Sequence, residues 1–374
     1  MGDGVLLIPG FFGFGTFGAG GPAPIRYFDH VIAALEAERP DLRGRIHATD
    51  PPPTGSLVTR VERLYETVAA VFAHGIGPQH LPIERLHLVG HSTGGLCARL
   101  LTNRHRWTGD LRSGSYSDLM QYIGAVVTVA APLHGTPLAT RLAGGFELSL
   151  PGLSLLSIVA KAQEIAPVPP RILRTLLLAE VVRHRPTPTP TILELLLDFD
   201  STTAGEIARF LDHIVQDHAL VNDLQPEAMG TLNTRIEGGD YAGLRHVVTV
   251  APPPSLATIT GGIVGDIFGA IYATLYEATA DPAFTPAAFP HGPWLHGADA
   301  APAGGESGAN DGVVPSGSQT LAGTAHLIAE ADHLDVIGHF RSRRFRGTTV
   351  FRSGAAFDDA DFQQLWSTIG GMLR

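Results

Sequence analysis

The most constraining feature of the sequence is the run L-H-L-V-G-H-S-T-G-G-L at residues 86–96. Its first residues are typical of a buried strand, and the chain from Gly94 onward is typical of a helix. A sharp turn between them would lift the hydroxyl of Ser92 clear of a sheet. A Cβ at Gly90 or Gly94 would clash where strand and helix close around the serine. The pattern predicts Ser92 as a nucleophile and the Thr93 amide as an oxyanion donor; the alternative is a glycine-flanked surface serine.

Composition limits the classes to which the protein can belong. The 374 residues are 44% hydrophobic and 17% charged, which is ample apolar material for a large core. The net charge of −10, with no basic run, disfavours nucleic acid or an anionic membrane as partner. A single cysteine, Cys97, excludes an intramolecular disulfide and is interpreted as a small buried apolar residue. The sequence does not indicate an oligomeric state.

No targeting or membrane-spanning segment is predicted. The chain enters an apolar strand at residues 5–8 without a basic leader region. The most apolar later stretch, residues 259–276, contains Asp266 and four glycines, which disfavours a transmembrane helix. We therefore expect a cytoplasmic protein, and the alternative is a secreted protein whose signal peptide has been removed.

Alternating strand and helix patterns predict an α/β fold, with a mostly parallel central sheet and helices on both faces. The predicted strands are residues 5–8, 45–49, 86–89, 123–130, 244–250 and 325–329, and the main helices are 27–39, 57–74 and 358–372. Residues 1–137 and 223–374 are predicted to form one core. Residues 138–222 are predicted to be a helical insertion, with apolar helical stretches at 153–166, 172–182, 191–197 and 207–220. This insertion is either a cap over the active site or an ordinary helical subdomain. A second insertion, at about residues 252–306, is rich in proline, glycine and aromatic residues.

A nucleophilic serine needs a base, and that base needs an acid to hold its tautomer. His333 follows the last predicted strand, where a loop can reach the nucleophile; His339 is its closest competitor, and His326 is interpreted as structural. Asp311 lies in an Asn-Asp-Gly sequence that is otherwise typical of a tight turn. The chain order Ser92, Asp311, His333 favours Asp311 as the acid, because α/β-hydrolases use this order.

The loop after the first strand, P-G-F-F-G-F-G at residues 9–15, can supply a second oxyanion donor. The Phe11 amide is predicted for this role, and Phe12, Phe14 and His91 are predicted to contact the substrate. A plain glycine-rich turn is one alternative. A phosphate-binding loop is another, but neither the G-x-x-x-x-G-K-[ST] motif nor a nearby basic residue is present.

Six motifs in this order resemble the bacterial true lipases and related esterases. They are I-P-G-F-F-G-F at 8–14, G-H-S-T-G-G at 90–95, V-A-A-P-L-H-G-T-P-L-A at 129–139, D-L-Q-P-E-A-M at 223–229, N-D-G at 310–312 and D-H-L-D at 332–335. The resemblance implies an α/β-hydrolase fold and hydrolysis of carboxylic esters with apolar acyl groups, without a cofactor or catalytic metal. It assigns Ser92, Asp311 and His333 as the triad, and the Phe11 and Thr93 amides as the oxyanion hole.

The resemblance also implies a small-molecule or lipid ester as the partner, with transient contact to a lipid interface. The chain departs from the family pattern at Pro9, where histidine is usual, and it lacks paired cysteines. Some relatives bind a structural calcium through an aspartate two residues after the catalytic histidine, the place of Asp335; no second ligand is evident. An acyltransferase or thioesterase would share the same triad, and a non-catalytic relative is a further alternative.

Overall fold

The computed structural model describes residues 2–21, 24–103, 119–144, 201–236, 240–255, 267–281, 293–295, 308–340 and 351–374. Its main strands are β1 (Gly2–Ile8), β4 (Ile46–Ala48), β5 (Ile83–His91), β6 (Ile123–Val129), β7 (Leu244–Val250) and β8 (Ala325–Glu330), and β2 (Thr16–Phe17) pairs with β3 (Ile25–Arg26) in a small antiparallel ribbon. The six main strands form one sheet in the order β4-β1-β5-β6-β7-β8, and every neighbouring pair is parallel.

The described helices are α1 (Asp29–Glu38), α2 (Leu57–His74), α3 (Thr93–Thr102), α4 (Pro137–Ala143), α5 (Ser201–Gln216), α6 (Ala219–Asp223), α7 (Pro226–Ile236), α8 (Ile267–Thr279) and α9 (Asp359–Met372). Short 3₁₀ turns occur at Pro40–Leu42, Ser316–Gln319 and Asp335–Ile337. None of these helices is long and apolar enough to cross a bilayer.

Helices cover both faces of the sheet because successive side chains of a strand point in opposite directions. In β1, Val5 and Leu7 join a core shared with α1, α5, α8 and α9. Leu6 and Ile8 join a second core shared with α2, α3 and α7. The predicted α/β class, with a parallel sheet between two helical layers, is confirmed.

Several predicted elements have the predicted bounds, notably the strand at 244–250 and the helix at 57–74. The apolar stretch predicted at 207–220 is not one helix. It is divided into α5 and α6, and the Asp217 side chain accepts a hydrogen bond from the Ala219 amide at 2.9 Å where the second helix begins. The helices predicted at 153–166, 172–182 and 191–197, and most of the insertion at 252–306, lie outside the described residues. The cap at 138–222 therefore stays a prediction.

Candidate active site

Ser92 occupies the sharp turn between β5 and α3. Its backbone has φ 55° and ψ −129°, a conformation that a residue with a Cβ adopts only under strain. A Cβ at Gly90 would overlap the backbone of Gly94, and one at Gly94 would overlap the Ile8 carbonyl. Thr93 is the first residue of α3, so its amide has no acceptor within the helix. The turn thus brings a serine hydroxyl and a helix N-terminus to the carboxyl end of β5.

The glycine-rich loop after β1 lies directly against Ser92. A Cβ built on Gly10 would stand 2.6 Å from the Cβ of Ser92, so only glycine allows this approach. The loop turns back on itself through a hydrogen bond from the Gly13 amide to the Gly10 carbonyl at 3.1 Å. The Phe12 amide donates to the Pro53 carbonyl at 3.2 Å. This arrangement leaves Phe11 at the tip of the loop, beside the serine.

A buried arginine on α2 also binds this loop. The guanidinium of Arg60, on α2, donates to the carbonyls of Pro9 at 2.7 Å and Gly10 at 3.2 Å. Its other terminal nitrogen donates to the Pro52 carbonyl at 2.5 Å. Arg60 is fully buried, and in the described part of the chain no carboxylate forms an ion pair with it. Its partners are therefore carbonyl dipoles of two loops, which it joins.

Asp311 and His333 form a buried hydrogen-bonded pair. His333 Nδ1 lies 2.8 Å from Asp311 Oδ2, and the His333 amide donates to the Asp311 carbonyl at 3.0 Å. A carboxylate can only accept, so Nδ1 carries the proton and Nε2 is left as the acceptor of the neutral ring. The pair provides an imidazole in a fixed tautomer.

The Asp311 carboxylate is held by four further donors. Its Oδ2 accepts from the Thr249 hydroxyl at 2.6 Å and from the Gln319 amide nitrogen at 3.1 Å. Its Oδ1 accepts from the backbone amides of Val313 at 2.9 Å and Val314 at 2.7 Å. Together with His333, these donors use both carboxylate oxygens and leave the side chain one orientation.

His91, the residue before Ser92, is bonded through both ring nitrogens. Its Nε2 lies 2.8 Å from the His333 carbonyl oxygen, and its Nδ1 lies 2.9 Å from the Tyr27 hydroxyl. Burial, with His333 nearby, holds the pKa of His91 well below its usual value. Burial also raises the pKa of Tyr27. Both groups are consequently neutral near pH 7.

A largely apolar cavity opens at this point. Its wall comprises Phe11, Phe12, Tyr27, His91, Ser92, Leu138, Leu142, Leu275, Val313, His333, Leu334, His339 and Phe351. Ser92 and His333 are the members with a nucleophilic hydroxyl and a carboxylate-bonded imidazole. The cavity therefore gathers candidate reactive groups and an apolar surface in one place.

The structure gathers most, but not all, of the residues predicted for the site. Phe11, Phe12, His91, Ser92 and His333 line the cavity, while Thr93 and Asp311 are buried behind its wall. Phe14, predicted to contact substrate, does not line the cavity. Its ring is 1% exposed and packs against Phe17, Tyr27 and Phe210, because the loop has turned into the core by this position. The competitor His339 also lines the cavity, and His326 does not.

The residues that the structure describes offer no further ligands for the calcium hypothesis at Asp335. Its side chain accepts a hydrogen bond from the Asp332 amide at 2.9 Å. Within the described ranges, no group of three or more histidine, cysteine or acidic residues is placed to hold a metal. Burial raises the pKa of Asp332 to about 7, and burial followed by the charge of Asp332 raises that of Asp335. The two carboxyls are thus a buried acidic pair with a local polar contact.

Comparison with solved structures identifies the architecture. EstA from Clostridium botulinum is 19% identical and superposes with a TM-score of 0.51, over 100% of this chain and 88% of that one. The chain has the α/β-hydrolase fold. Lipase 1 from Pelosinus fermentans (14% identity, TM-score 0.48, 98% of each chain) and Staphylococcus hyicus lipase (14%, 0.46, 99% of this chain and 95% of that one) are also similar. No family model and no curated sequence matches.

Within this α/β-hydrolase fold, sequence reasoning missed four residues that support the site. Thr249 and Gln319 hold the Asp311 carboxylate, but no local sequence motif indicates this role for either residue. Arg60 carried a signal, because it stands on the buried stripe of α2 between Leu57 and Leu64, where a charge is unexpected. The sequence pattern places Tyr27 at the start of the helix predicted at 27–39 and does not indicate a contact with the site.

Proposed function

We propose that this protein is a serine hydrolase that cleaves carboxylic esters with apolar acyl groups. One observation carries the proposal. The imidazole of His333 is hydrogen-bonded to Asp311 at 2.8 Å and lines the same cavity as Ser92, which occupies a strained turn. The α/β-hydrolase fold supports it, because Ser92, Asp311 and His333 follow the chain order that this fold uses for its triad. A helical cap over the cavity, formed from residues 138–222, belongs to the same proposal.

The reaction begins with attack of the Ser92 oxygen on the ester carbonyl carbon, while His333 Nε2 accepts the hydroxyl proton. The tetrahedral intermediate then loses the alcohol, which takes its proton from the His333 imidazolium. The acyl group is left on Ser92. A water molecule, deprotonated by His333, attacks the acyl-serine and releases the carboxylic acid, and the proton returns to the serine oxygen.

Two charges develop in this mechanism, a negative charge on the substrate oxygen and a positive charge on His333, and each is stabilised. The amides of Phe11 and Thr93 donate to the oxyanion as it forms, and such donors act strongly in a site that excludes water. The ionised carboxylate of Asp311 stabilises the imidazolium at His333. Neither stabilisation requires a cofactor.

The cavity wall favours an apolar acyl group. Leu138 and Leu142 of α4, Leu275 of α8 and Phe351 are apolar side chains that line the cavity together with Ser92. Burial of a methylene group on such a surface contributes about 0.8 kcal/mol. We therefore propose that kcat/KM rises with acyl length until the chain fills the cavity.

The test combines covalent labelling with an ester series. A fluorophosphonate probe should label the native protein and neither the heat-denatured protein nor Ser92→Ala. p-Nitrophenyl esters of increasing acyl length should be hydrolysed, and Ser92→Ala should lower kcat by about 10⁴–10⁶ with an unchanged circular dichroism spectrum. Undiminished labelling or turnover in Ser92→Ala would refute the proposal. If added alcohol or thiol captures most of the acyl group, the protein is an acyltransferase rather than a hydrolase.

A further inference from the structure

Three polar groups form a buried hydrogen-bonded chain beside Ser92. The Tyr27 hydroxyl lies 2.9 Å from Nδ1 of His91, and His91 Nε2 lies 2.8 Å from the backbone carbonyl of His333. The chain therefore connects Tyr27, through the residue before Ser92, with the segment that carries the proposed base.

The direction of each hydrogen bond follows from the chemistry of the groups. A carbonyl oxygen only accepts, so His91 must donate from Nε2 to His333. A neutral His91 then has an unprotonated Nδ1, which accepts from the Tyr27 hydroxyl. One tautomer of His91 satisfies the whole chain, and the other would break its bond to His333.

Burial makes this chain rigid. His91 is 2% exposed and Tyr27 is 5% exposed, so water does not compete for their hydrogen bonds. The rings of His91 and His333 lie 4.8 Å apart between centroids, and the ring of Tyr27 packs at 4.8 Å against that of Phe28. A buried polar network that is fully satisfied specifies one arrangement, because breaking any member leaves an unpaired group.

We propose that His91, in its neutral Nε2–H tautomer, is a positioning residue for catalysis. This inference rests on the proposed function. It donates to the His333 carbonyl and so sets the backbone of the base, while the Tyr27 hydroxyl holds His91 in this tautomer. His91 directly precedes Ser92, so it fixes the position of the base relative to the nucleophile turn. Its role is distinct from the substrate contact predicted for it.

Substitutions at His91 and at Tyr27 test the two hydrogen bonds of this chain separately. His91→Leu removes both hydrogen bonds, and a misplacement of about 1 Å in the reacting groups costs on the order of 100-fold in kcat. His91→Gln places an amide donor where Nε2 was, so it should recover kcat to within about tenfold of the native value. Tyr27→Phe removes a single oxygen and should lower kcat by about tenfold, because the bond to the His333 carbonyl remains.

The matched control is His87→Gln. His87 is also a buried histidine on β5, and its Nδ1 accepts from the Ala125 amide at 3.0 Å. It does not line the cavity. His87→Gln should lower the melting temperature without changing kcat, whereas the His91 variants should lower kcat with KM changed by less than about threefold.

Three measurements decide the matter: kcat and KM for one p-nitrophenyl ester, the rate of fluorophosphonate labelling, and the melting temperature. Should His91→Leu not fold, His91→Gln and Tyr27→Phe still test the chain. Native kcat in a folded His91→Leu, or in Tyr27→Phe, would overturn the proposal. Equal losses of kcat in His91→Leu and His91→Gln would also overturn it. Failure of the proposed function itself would be seen separately, as an active Ser92→Ala protein.

Discussion

Nδ1 of His333 and Oδ2 of Asp311 lie 2.8 Å apart, although the two residues are separated by 22 positions and by the whole of β8. A second hydrogen bond, from the His333 amide to the Asp311 carbonyl at 3.0 Å, joins the same two residues through their backbones. Thr249 and Gln319 complete the setting of the carboxylate. The ring of His333 is therefore fixed in both position and tautomer.

Asp311→Asn should lower kcat by about 10⁴-fold while the protein remains folded, a magnitude taken from the equivalent change in a serine protease. The amide can donate to Nδ1, which favours the tautomer with the proton on Nε2, where the base must be free. The control is Asp332→Asn, a buried aspartate next to His333 whose Oδ1 accepts from the backbone amides of Leu334 and Asp335. Steady-state kinetics on one ester check the prediction, and equal effects of the two variants would count against Asp311 as the acid.

Gly10→Ala should lower kcat by about 100-fold. The new methyl group would stand 2.6 Å from the Cβ of Ser92, so either the loop or the serine must shift. Gly20→Ala is the matched control, because no atom lies within 4 Å of a Cβ built there. Kinetics and melting temperatures of the two variants, measured side by side, distinguish local displacement from general destabilisation. Native activity in Gly10→Ala would mean that the loop does not approach the serine in solution.

Arg60→Met should lower both the free energy of unfolding and kcat. The change leaves the Pro9, Gly10 and Pro52 carbonyls without their donor, and one buried unsatisfied group costs about 1–3 kcal/mol. Arg63→Met, on the same helix but exposed and paired only with Glu66, should change stability by less than about 1 kcal/mol. Urea unfolding monitored by fluorescence checks the difference, which would be absent if Arg60 were dispensable.

The buried carboxyl of Asp332 should make the protein less stable as the pH rises. Its pKa is raised by burial to about 7 in the folded protein and is near 3.8 in the unfolded chain. Between these values the folded protein holds a proton that the unfolded chain has lost, so this contribution to stability is present below about pH 4 and disappears as the pH rises through about 7. Asp332→Asn keeps the acceptor oxygen and carries no charge.

Melting temperatures of the native protein and of Asp332→Asn, measured from pH 5 to pH 8, test this prediction. The variant should gain relative to the native protein as the pH increases. The lowered pKa of His246 acts in the opposite sense, destabilising at low pH, and it is common to both proteins. A constant difference between the two melting curves would show that Asp332 is ionised throughout.

Local patterns predicted the turn at Ser92, because strand, glycine spacing and helix occur within eleven residues. Chain order, the position of His333 after the last predicted strand and the family resemblance suggested Asp311 and His333, and the structure brings these two into contact. The partners of Arg60 and Thr249 could not be assigned from their surroundings in sequence. Arg60 lies 51 positions from the Pro9 carbonyl it binds, and Thr249 lies 62 positions from Asp311. Contacts across such separations exist only once the sheet has formed.

The order in which the strands occur in the chain has a consequence for biosynthesis. The serine turn belongs to β5, whereas the acid and the base flank β8, which is the last in the chain of the six described strands and lies at one end of their order. A nascent polypeptide on the ribosome can thus complete the nucleophile long before any base exists to activate it. If the proposed mechanism holds, the protein would have no hydrolytic activity until β8 has docked onto the sheet.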